Sequence, residues 1–408
     1  MAARAKVIIA GAGIGGLVAA LALIERGFEV EIHEQAPELK EIGAGLQLAA
    51  NSTRLFADLG LGKELADIAW EPQGKEIRLW STGRVWTLFD LAQESVDRFG
   101  APYYMVHRAD LHRMLVDAVN RRAPGVIRLS SRIVDFSEDE KGIHALTSDG
   151  TRFSGDLFIG ADGVHSTVRG KLFGAAKPEY TGLMVWRGII PTKNLPEHLL
   201  RPVGTNWVGP NRHVIQYMVR RGELMNFVGV VERGDWTVES WTAEGSHAEC
   251  HADFETWHED VHTMISHIEV PYKWALIGRA PMQAWSVGRT TLLGDACHAT
   301  LPFLAQGAGM AIEDGVVLAR CIEAFWPDCE TALSRYQALR LERTSKVVTG
   351  SLENGRRFHN PEMANKETAE AYVTREWQGD RVNVRYNWLF EYDASSVPLN
   401  EKSVAEIS

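Results

Sequence analysis

The first residues that could do chemistry are closely spaced glycines near the start of the chain. Gly11, Gly13 and Gly16 have the G-x-G-x-x-G spacing of a dinucleotide-binding turn, with Ile14 and Gly15 between them. The first glycine allows a tight turn, the second lets the backbone approach a pyrophosphate, and the third lets a helix pack closely on a strand. The alternative is an ordinary glycine turn, so the flanking sequence has to decide between the two.

That flanking sequence favours the dinucleotide. The apolar run 7–10 predicts a buried strand, and apolar residues three and four apart over 17–24 predict a helix. A second strand over 28–32 leads to Glu34, whose carboxylate can accept hydrogen bonds from a ribose. A signal peptide or a membrane span could also begin with such an uncharged stretch. Four glycines over 11–16 would weaken a lone helix, so we interpret the stretch as a soluble core.

Later glycines also sit where a ligand could approach the backbone. Asp162 and Asp295 each follow a short apolar strand and a glycine, and Asp295 could bind a ribose or ribityl hydroxyl. The run Gly307-Ala308-Gly309-Met310 begins a predicted helix, whose N-terminus could face an anionic or carbonyl-rich group. Gly45 lies in a glycine-containing segment that either contacts the cofactor or is a plain connecting loop.

Three further side chains, those of His213, Tyr217 and Arg108, are candidates on weaker grounds. His213, Ile215 and Tyr217 share one face of a predicted strand, because side chains alternate along a strand with a period of two. A histidine and a tyrosine on one sheet face could form a polar patch in an active site, but the strand pattern alone favours two ordinary half-buried residues. Arg108 stands where a strand runs into a helix, and a surface salt bridge is its simplest explanation.

A literal H-E-x-x-H occurs at His258, Glu259 and His262, the pattern of a zinc-protease helix. The apolar spacing over 252–268 predicts one amphipathic helix with a core-facing stripe. Because that helix already has a core face and nothing else suggests a hydrolase, we expect the histidines on a solvated flank and no catalytic metal.

Composition excludes some classes of partner. The chain has 408 residues and a formal net charge of −10, which gives no electrostatic reason to bind nucleic acid or an anionic membrane. Its four cysteines form no C-x-x-C pair and no disulfide framework, so a cytoplasmic location is expected. The sequence leaves the oligomeric state open, with a homodimer as one option.

Four stretches together carry a family likeness. They are the glycine turn with Glu34, His107-Arg108-Ala109-Asp110-Leu111, Gly160-Ala161-Asp162-Gly163, and Gly294-Asp295-Ala296 with Gly307-Ala308-Gly309. In this order the chain resembles the single-component FAD-dependent aromatic hydroxylases with the p-hydroxybenzoate-hydroxylase-like fold. The likeness covers roughly residues 5–395 and is greatest to the salicylate, 3-hydroxybenzoate and 6-hydroxynicotinate monooxygenases.

The pattern and the resemblance together imply an α/β protein with interleaved domains. A Rossmann-like FAD-binding domain is expected over 1–75, 101–175 and 276–345. A mostly antiparallel β-sheet substrate domain is expected over 76–100 and 176–275. A helical C-terminal region would occupy 346–408.

The resemblance implies bound FAD and assigns roles to the motifs. The glycine turn would hold the pyrophosphate, Glu34 the adenosine ribose and Arg108 the FAD chain. Asp162 would lie in a motif linked to both FAD and NAD(P)H, and Asp295 would contact the ribityl chain or the pyrophosphate. The run from Gly307 to Met310 would face the flavin pyrimidine.

The resemblance also implies the reaction. NADH or NADPH would reduce the flavin transiently, O2 would give a flavin hydroperoxide, and a hydroxylated aromatic acid of salicylate or 3-hydroxybenzoate type would be hydroxylated. His213 would be the base that forms the phenolate, with Tyr217 orienting the ring. Gln47 and Pro302 stand where the pyridine hydroxylases have histidine, and Phe303 could help to exclude water.

The chemistry leaves alternatives. Gln47 and Pro302 favour a carbocyclic ring, with an N-heteroaromatic such as 6-hydroxynicotinate as the alternative substrate. An FAD-linked dehydrogenase or oxidase, or a non-enzymatic binding protein on the same fold, are the alternatives of other classes. Only one G-x-G-x-x-G is present, which favours transient nicotinamide binding.

Overall fold

The computed structural model describes residues 5–39, 44–174, 177–234 and 243–399. Its strands are β1 (Lys6–Ala10), β2 (Glu29–His33), β3 (Gly45–Leu48), β4 (Gly74–Leu79), β5 (Val85–Asp90), β6 (Tyr104–His107), β7 (Ile127–Arg128), β8 (Ile133–Asp139), β9 (Gly142–Thr147), β10 (Arg152–Gly155), β11 (Leu157–Gly160), β12 (Glu179–Pro191), β13 (Val203–Gly209), β14 (Arg212–Val219), β15 (Leu224–Glu232), β16 (Tyr272–Gly278), β17 (Ser286–Val287) and β18 (Thr290–Leu292).

The α-helices are α1 (Ile14–Glu25), α2 (Ala50–Asp58), α3 (Gly62–Ile68), α4 (Gln93–Phe99), α5 (Arg108–Arg122), α6 (Thr167–Phe173), α7 (His247–Asp253), α8 (Glu259–Ser266), α9 (Asp295–His298), α10 (Gly307–Phe325), α11 (Cys329–Phe358), α12 (Lys366–Glu376) and α13 (Gly379–Phe390). Short 3₁₀ turns cover Thr192–Asn194, Glu197–Leu199, Arg220–Gly222, Pro302–Leu304 and Pro361–Ala364.

The first large sheet has six strands in the order β17-β18-β11-β1-β2-β7. Neighbours from β18 to β7 run parallel, and β17 is antiparallel to β18. Val7, Ile8 and Ile9 are fully buried, as expected for a parallel strand with both faces covered. Parallel strands bring their carboxyl ends to one edge, so the turns after β1, β11 and β18 lie beside one another.

The second large sheet has seven strands in the order β16-β12-β15-β14-β13-β4-β5. It is antiparallel except for the β13–β4 pair. Two smaller sheets, β10-β9-β8 and β3-β6, flank the larger ones. This mixed architecture confirms the predicted fold class, whereas the domain boundaries stay a proposal.

Helices α1, α10 and α11 pack beside the six-stranded sheet. A methyl group on Gly315 of α10 would lie 2.7 Å from the Ala19 nitrogen of α1, so these two helices are in close contact. Tyr336, Arg340 and Arg343 of α11 are all buried. Helices α12 and α13 follow at the C-terminal end, and none of the helices within the described ranges is both long and apolar enough to cross a bilayer.

The single helix predicted over 252–268 is wrong. Helix α7 ends at Asp253, and α8 begins at Glu259. His258 is the N-cap of α8, where its Nδ1 accepts a hydrogen bond from the Asp260 N–H at 3.2 Å. His262 contacts His251 across the two helices, with 2.8 Å between their Nδ1 atoms. The two motif histidines therefore do not form an i, i+4 pair within one helix.

Candidate functional site

The three motif glycines have three different structural requirements. Gly11 has a φ of +105°, and a Cβ there would lie 2.4 Å from the Ala161 oxygen. A Cβ on Gly16 would lie 2.2 Å from the Gly11 oxygen, so this glycine lets α1 start directly against the turn. A Cβ on Gly13 would meet no atom within 4 Å. Gly13 alone of the three therefore borders open space, as the approach of a pyrophosphate to the backbone requires.

Glu34 fixes the shape of this turn. Its Oε2 accepts a hydrogen bond from the Ala12 N–H at 2.9 Å, and its Oε1 accepts one from the Ala36 N–H at 2.8 Å. Each carboxylate oxygen has a second lone pair, which can accept a hydrogen bond from a ribose. Glu34 thus supports the glycine turn, and its contact with a ribose stays a prediction.

A cavity of about 420 Å³ lies between the glycine turns and the seven-stranded sheet. It is bordered by the turns at the carboxyl ends of β1, β11 and β18, which is where open parallel sheets bind their ligands. The residues of these turns and of the helix starts that line it are Gly13, Ile14, Gly15, Gly16, Arg108, Ala161, Gly163, Val164, Leu293, Gly294, Asp295, Gly307, Ala308 and Ala311.

The opposite wall is one face of the seven-stranded sheet. Alternate residues of four neighbouring strands point into it, namely Trp274 and Leu276 of β16, Val185 and Arg187 of β12, Val228 and Val230 of β15, and His213, Ile215 and Tyr217 of β14. The period of two predicted for β14 is therefore observed. Most of this wall is apolar, with Arg187, His213 and Tyr217 as its polar members.

Arg187 places a positive charge in this wall. Burial and the neighbouring charge of Arg108 lower the pKa of Arg187 to about 10, so it stays cationic at neutral pH. Its guanidinium carbon lies 5.5 Å from the centre of the Trp274 ring. With Arg108 also lining the cavity, this region favours a ligand that carries negative charge.

A buried ion pair positions the turn that carries Asp295. Asp314 of α10 accepts hydrogen bonds from the Gly294 N–H at 2.9 Å and from His298 Nε2 at 2.5 Å. Arg340 of α11 donates to the other oxygen of Asp314 at 2.7 Å. Burial acts against ionisation of Asp314, but the charges of His298 and Arg340 lower its pKa to about 2. The start of α9, including Asp295, is thereby held at the cavity.

Gln47 is held in a fixed orientation beside Tyr217. Its Oε1 accepts hydrogen bonds from Lys75 Nζ at 2.9 Å and from the Tyr103 hydroxyl at 2.7 Å. Burial raises the pKa of the Tyr217 hydroxyl, and the nearby Gln47 side chain acts in the opposite direction. Because two donors occupy the Gln47 oxygen, the amide N–H groups are the part of this side chain that remains able to donate. Burial lowers the pKa of Lys75 to about 8.

Gly45 makes room for this arrangement. A Cβ on Gly45 would lie 2.5 Å from Cε2 of the Tyr217 ring, so only glycine allows the tyrosine to approach. The Gly45 N–H donates to Asn226 Oδ1 at 2.8 Å, which connects β3 to the sheet. Gly45 lines the cavity together with Gln47, and its role on the cofactor side stays a prediction.

His213 belongs to a chain of hydrogen bonds that the sequence did not suggest. Its Nδ1 lies 2.6 Å from Nε2 of His359, and Nδ1 of His359 lies 2.9 Å from Oε1 of Glu232. His213 Nε2 has no hydrogen-bond partner among the described residues. Burial and the adjacent His359 hold the pKa of His213 well below its usual value, so the ring is neutral at neutral pH and one ring nitrogen keeps a lone pair.

Several predicted site residues lie next to the cavity without lining it. Asp162 Oδ2 accepts hydrogen bonds from the first turn of α6, and Oδ1 is buried with no hydrogen-bond partner in the described ranges. Burial raises the pKa of Asp162. Gly309 packs against α2, and Met310 donates its N–H to the Gln306 oxygen at 2.8 Å. The Phe303 ring contacts the edge of the His213 ring, with 5.2 Å between centres.

Pro302, which was predicted on the substrate side, does line the cavity. It lies at the start of a 3₁₀ turn, between β18 and α10. Its nitrogen has no proton to donate, and its carbonyl accepts a hydrogen bond from the Ala305 N–H at 3.0 Å. The roles assigned to this residue and to the other predicted site residues remain proposals.

The residues present fit FAD. The open space at Gly13 suits a pyrophosphate, and the N-termini of α1 and α10 both face the cavity with free N–H groups and positive dipole ends. Asp162 lies behind these turns, and its buried Oδ1 has no hydrogen-bond partner among the residues that the structure describes. Flat apolar contacts for an aromatic ring system come from the wall of the β-sheet.

Comparison with known proteins agrees with this fit. Residues 4–351 match the family model described as an FAD binding domain. The chain is 37% identical over 395 residues to the 3-amino-4-hydroxybenzoate 2-monooxygenase PtnB3 of Streptomyces platensis, covering 97% of this chain and 98% of that one. It is 35% identical over 395 residues to the 3-hydroxybenzoate 6-hydroxylase of Polaromonas naphthalenivorans, covering 96% of both.

A solved structure gives the same picture. Klebsiella pneumoniae HpxO complexed with FAD and uric acid superposes with a TM-score of 0.83 at 26% identity, covering 95% of this chain and 97% of that one. The chain therefore belongs to the family defined by this FAD binding domain. It is an enzyme, an FAD-dependent aromatic-ring monooxygenase that uses NAD(P)H and oxygen.

Proposed function

We propose that the enzyme hydroxylates a small aromatic acid that already carries a ring hydroxyl, of salicylate or 3-hydroxybenzoate type. The observation that carries this proposal is His213, a buried neutral imidazole on the cavity wall with Nε2 unpartnered among the described residues. A ring hydroxyl is the group that needs such a base, because a phenolate is far more electron-rich than a phenol. Arg187 supplies positive charge for a carboxylate.

FAD, when bound, supplies the activated oxygen for the reaction. His213 accepts the phenol proton at Nε2, which makes the ring a better nucleophile. Gln47 and Tyr217 orient the ring through hydrogen bonds with its polar substituents. The apolar wall of Val185, Val228 and Val230 excludes water from the reacting carbon.

The relatives support this choice of substrate class. The two enzymes named above act on 3-amino-4-hydroxybenzoate and 3-hydroxybenzoate, and both are hydroxylated benzoates. Both match this chain over nearly its full length. The mostly apolar sheet wall also offers few polar groups for a larger polar ligand.

A substrate panel tests the proposal. The purified enzyme should show a flavin absorption spectrum, and NADH or NADPH oxidation should be followed with salicylate, 3-hydroxybenzoate, 3-amino-4-hydroxybenzoate and 6-hydroxynicotinate. We expect substrate-stimulated oxidation with a hydroxybenzoate and a product heavier by one oxygen atom. Hydroxylation of 6-hydroxynicotinate alone would contradict the carbocyclic substrate, and a loss of carboxylate would show that decarboxylation accompanies hydroxylation.

Replacement of Gln47 by glutamate should weaken substrate binding. The new side chain keeps an oxygen for Lys75 and Tyr103, but it replaces the amide donor by a negatively charged acceptor. We expect KM to rise by about 10- to 100-fold, the size of a lost hydrogen bond to a charged group. FAD content should be unchanged. Gln93→Glu, on α4 and outside the cavity lining, is the matched control, and an unaltered KM in Gln47→Glu would remove Gln47 from the substrate site.

The proposed partners are small molecules only. We infer a cytoplasmic enzyme, since its four cysteines are all buried free thiols and its relatives include enzymes of hydroxybenzoate chemistry. The homodimer stays a prediction, which light scattering of the purified enzyme would test.

A further inference from the structure

His213, His359 and Glu232 connect the cavity wall to the protein surface. His213 is 0% exposed and His359 is 4% exposed, whereas 47% of the Glu232 side chain is exposed. The two contacts, 2.6 Å between the rings and 2.9 Å from His359 to Glu232, are both within hydrogen-bond distance. The chain therefore runs without a gap from a buried base to a carboxylate in solvent.

The backbone fixes these three residues relative to one another. His359 follows the last residue of α11, and its carbonyl accepts a hydrogen bond from the Asn211 N–H at 3.3 Å. The carbonyl of Asn211 accepts a hydrogen bond from the Glu232 N–H at 3.0 Å. One residue of the turn before β14 thus connects the end of α11 to the end of β15, so backbone hydrogen bonds hold together the same three segments that the side chains join.

Chemistry gives the hydrogen bonds a direction. An ionised Glu232 can only accept, so Nδ1 of a neutral His359 must be the donor. The Nε2 of His359 then accepts from Nδ1 of His213, and His213 Nε2 is left with a lone pair. The hydrogen bond from His359 keeps the pKa of Glu232 below its ordinary value, so the carboxylate is ionised at neutral pH.

We propose that His359 and Glu232 relay the substrate's phenol proton from His213 to solvent. The inference rests on the proposed role of His213 as the base. The O–H bond of the phenol breaks as His213 Nε2 gains the proton, and the Nδ1 proton of His213 passes to His359 Nε2. The Nδ1 proton of His359 passes to Glu232, which releases it to water. One proton leaves, no electrons are transferred, and reversal of the same steps returns a proton to the product.

The surroundings of His213 explain why a relay is needed. Its ring contacts the rings of Phe303 and Phe358, with 5.2 and 5.1 Å between centres. A buried imidazolium among such apolar groups is unfavourable, since burial penalises the charged form. Passing a proton on at once leaves both rings neutral, and the charge change falls on the exposed carboxylate.

Ligand ionisation in the oxidised holoenzyme tests the relay without turnover. 3-Hydroxy-4-nitrobenzoate is a suitable probe, because its phenol and phenolate differ in visible absorption. Stopped-flow mixing below the free ligand's phenol pKa gives the extent and the rate of phenolate formation. In His359→Gln, which cannot pass a proton through its amide, we expect the rate to fall by about tenfold or more. Glu232→Gln should also be slower, and added imidazole buffer should restore its rate.

Two control variants and the parent enzyme separate the possible failures. His247→Gln and Glu269→Gln change a histidine and an exposed carboxylate outside the cavity lining, and both should ionise the ligand at the parent rate. Flavin absorbance checks that every variant is folded and loaded. If His213→Ala is defective but His359→Gln and Glu232→Gln match the parent enzyme, the relay is overturned and the base remains. A parent enzyme that binds the ligand without ionising it overturns both.

Discussion

Replacement of His213 by alanine is expected to slow hydroxylation by about 10²- to 10⁴-fold, the usual contribution of a general base. The variant should still bind FAD, since the glycine turns and helix N-termini of the opposite wall do not involve β14. NADH consumption should continue in part and yield hydrogen peroxide in place of hydroxylated product, because an un-ionised ring reacts too slowly to compete.

The pH dependence of the His213→Ala defect identifies the base. Since burial holds the pKa of His213 well below 6.5, the parent enzyme has its neutral base throughout the neutral range. The variant should therefore improve as the pH rises towards the substrate's own phenol pKa, where the ligand arrives ionised. Tyr217→Phe should instead impair binding or coupling with little dependence on pH. A His213→Ala enzyme with parent rate and full coupling at neutral pH would require another base.

The parts of this site that could be predicted depend on local sequence patterns. The glycine spacing at 11–16 fixes a backbone shape within a few residues, so its meaning can be found without the fold. The alternation of His213, Ile215 and Tyr217 predicts a shared face, because a strand repeats every two residues. The family resemblance then supplied the reason to prefer an active-site wall over an ordinary core face, and the apolar neighbours on β12, β15 and β16 surround that pair in the structure.

Other parts depend on contacts that no local pattern reveals. His359 lies 146 residues from His213, in a stretch that carries no motif, and it arrives only because α11 is 30 residues long and ends beside β14. Glu232 is an exposed residue at the end of β15, and no sequence pattern marks it. Asp314 and Arg340 likewise meet through helix packing. In these cases the contacts between the side chains depend on how distant segments pack, and a single sequence contains no local pattern for that packing.

The wrong prediction over 252–268 has a local cause. The apolar residues Phe254 and Trp257 continue the helical spacing across the break, and both are buried. They pack against each other with 5.1 Å between ring centres and an interplanar angle of 83°. The helical spacing of apolar residues therefore continues across a segment that is not helical. His258, the N-cap of α8, is also the first residue of the H-E-x-x-H pattern, so the sequence did not reveal it as a helix start.

Replacement of Gly13 by valine is expected to abolish stoichiometric FAD binding while leaving the fold intact. The backbone of Gly13 has φ −70° and ψ 175°, an extended conformation that valine adopts without strain. A Cβ there meets no protein atom within 4 Å, so the substitution costs little in the protein itself. The added side chain instead fills the space beside the N-terminus of α1, where the pyrophosphate would approach.

The comparison with other glycines makes this test specific. In Gly11→Val and Gly16→Val the new Cβ would lie 2.4 and 2.2 Å from a backbone oxygen. These two variants should therefore lose FAD because the turn itself is disrupted. Gly379→Val is the matched control. A Cβ on Gly379 also meets no atom within 4 Å, but Gly379 is the first residue of α13 and does not line the cavity. Circular dichroism and flavin absorbance of the purified proteins are the measurements. A folded Gly13→Val protein that retains one FAD per chain would show that the pyrophosphate does not pass this glycine.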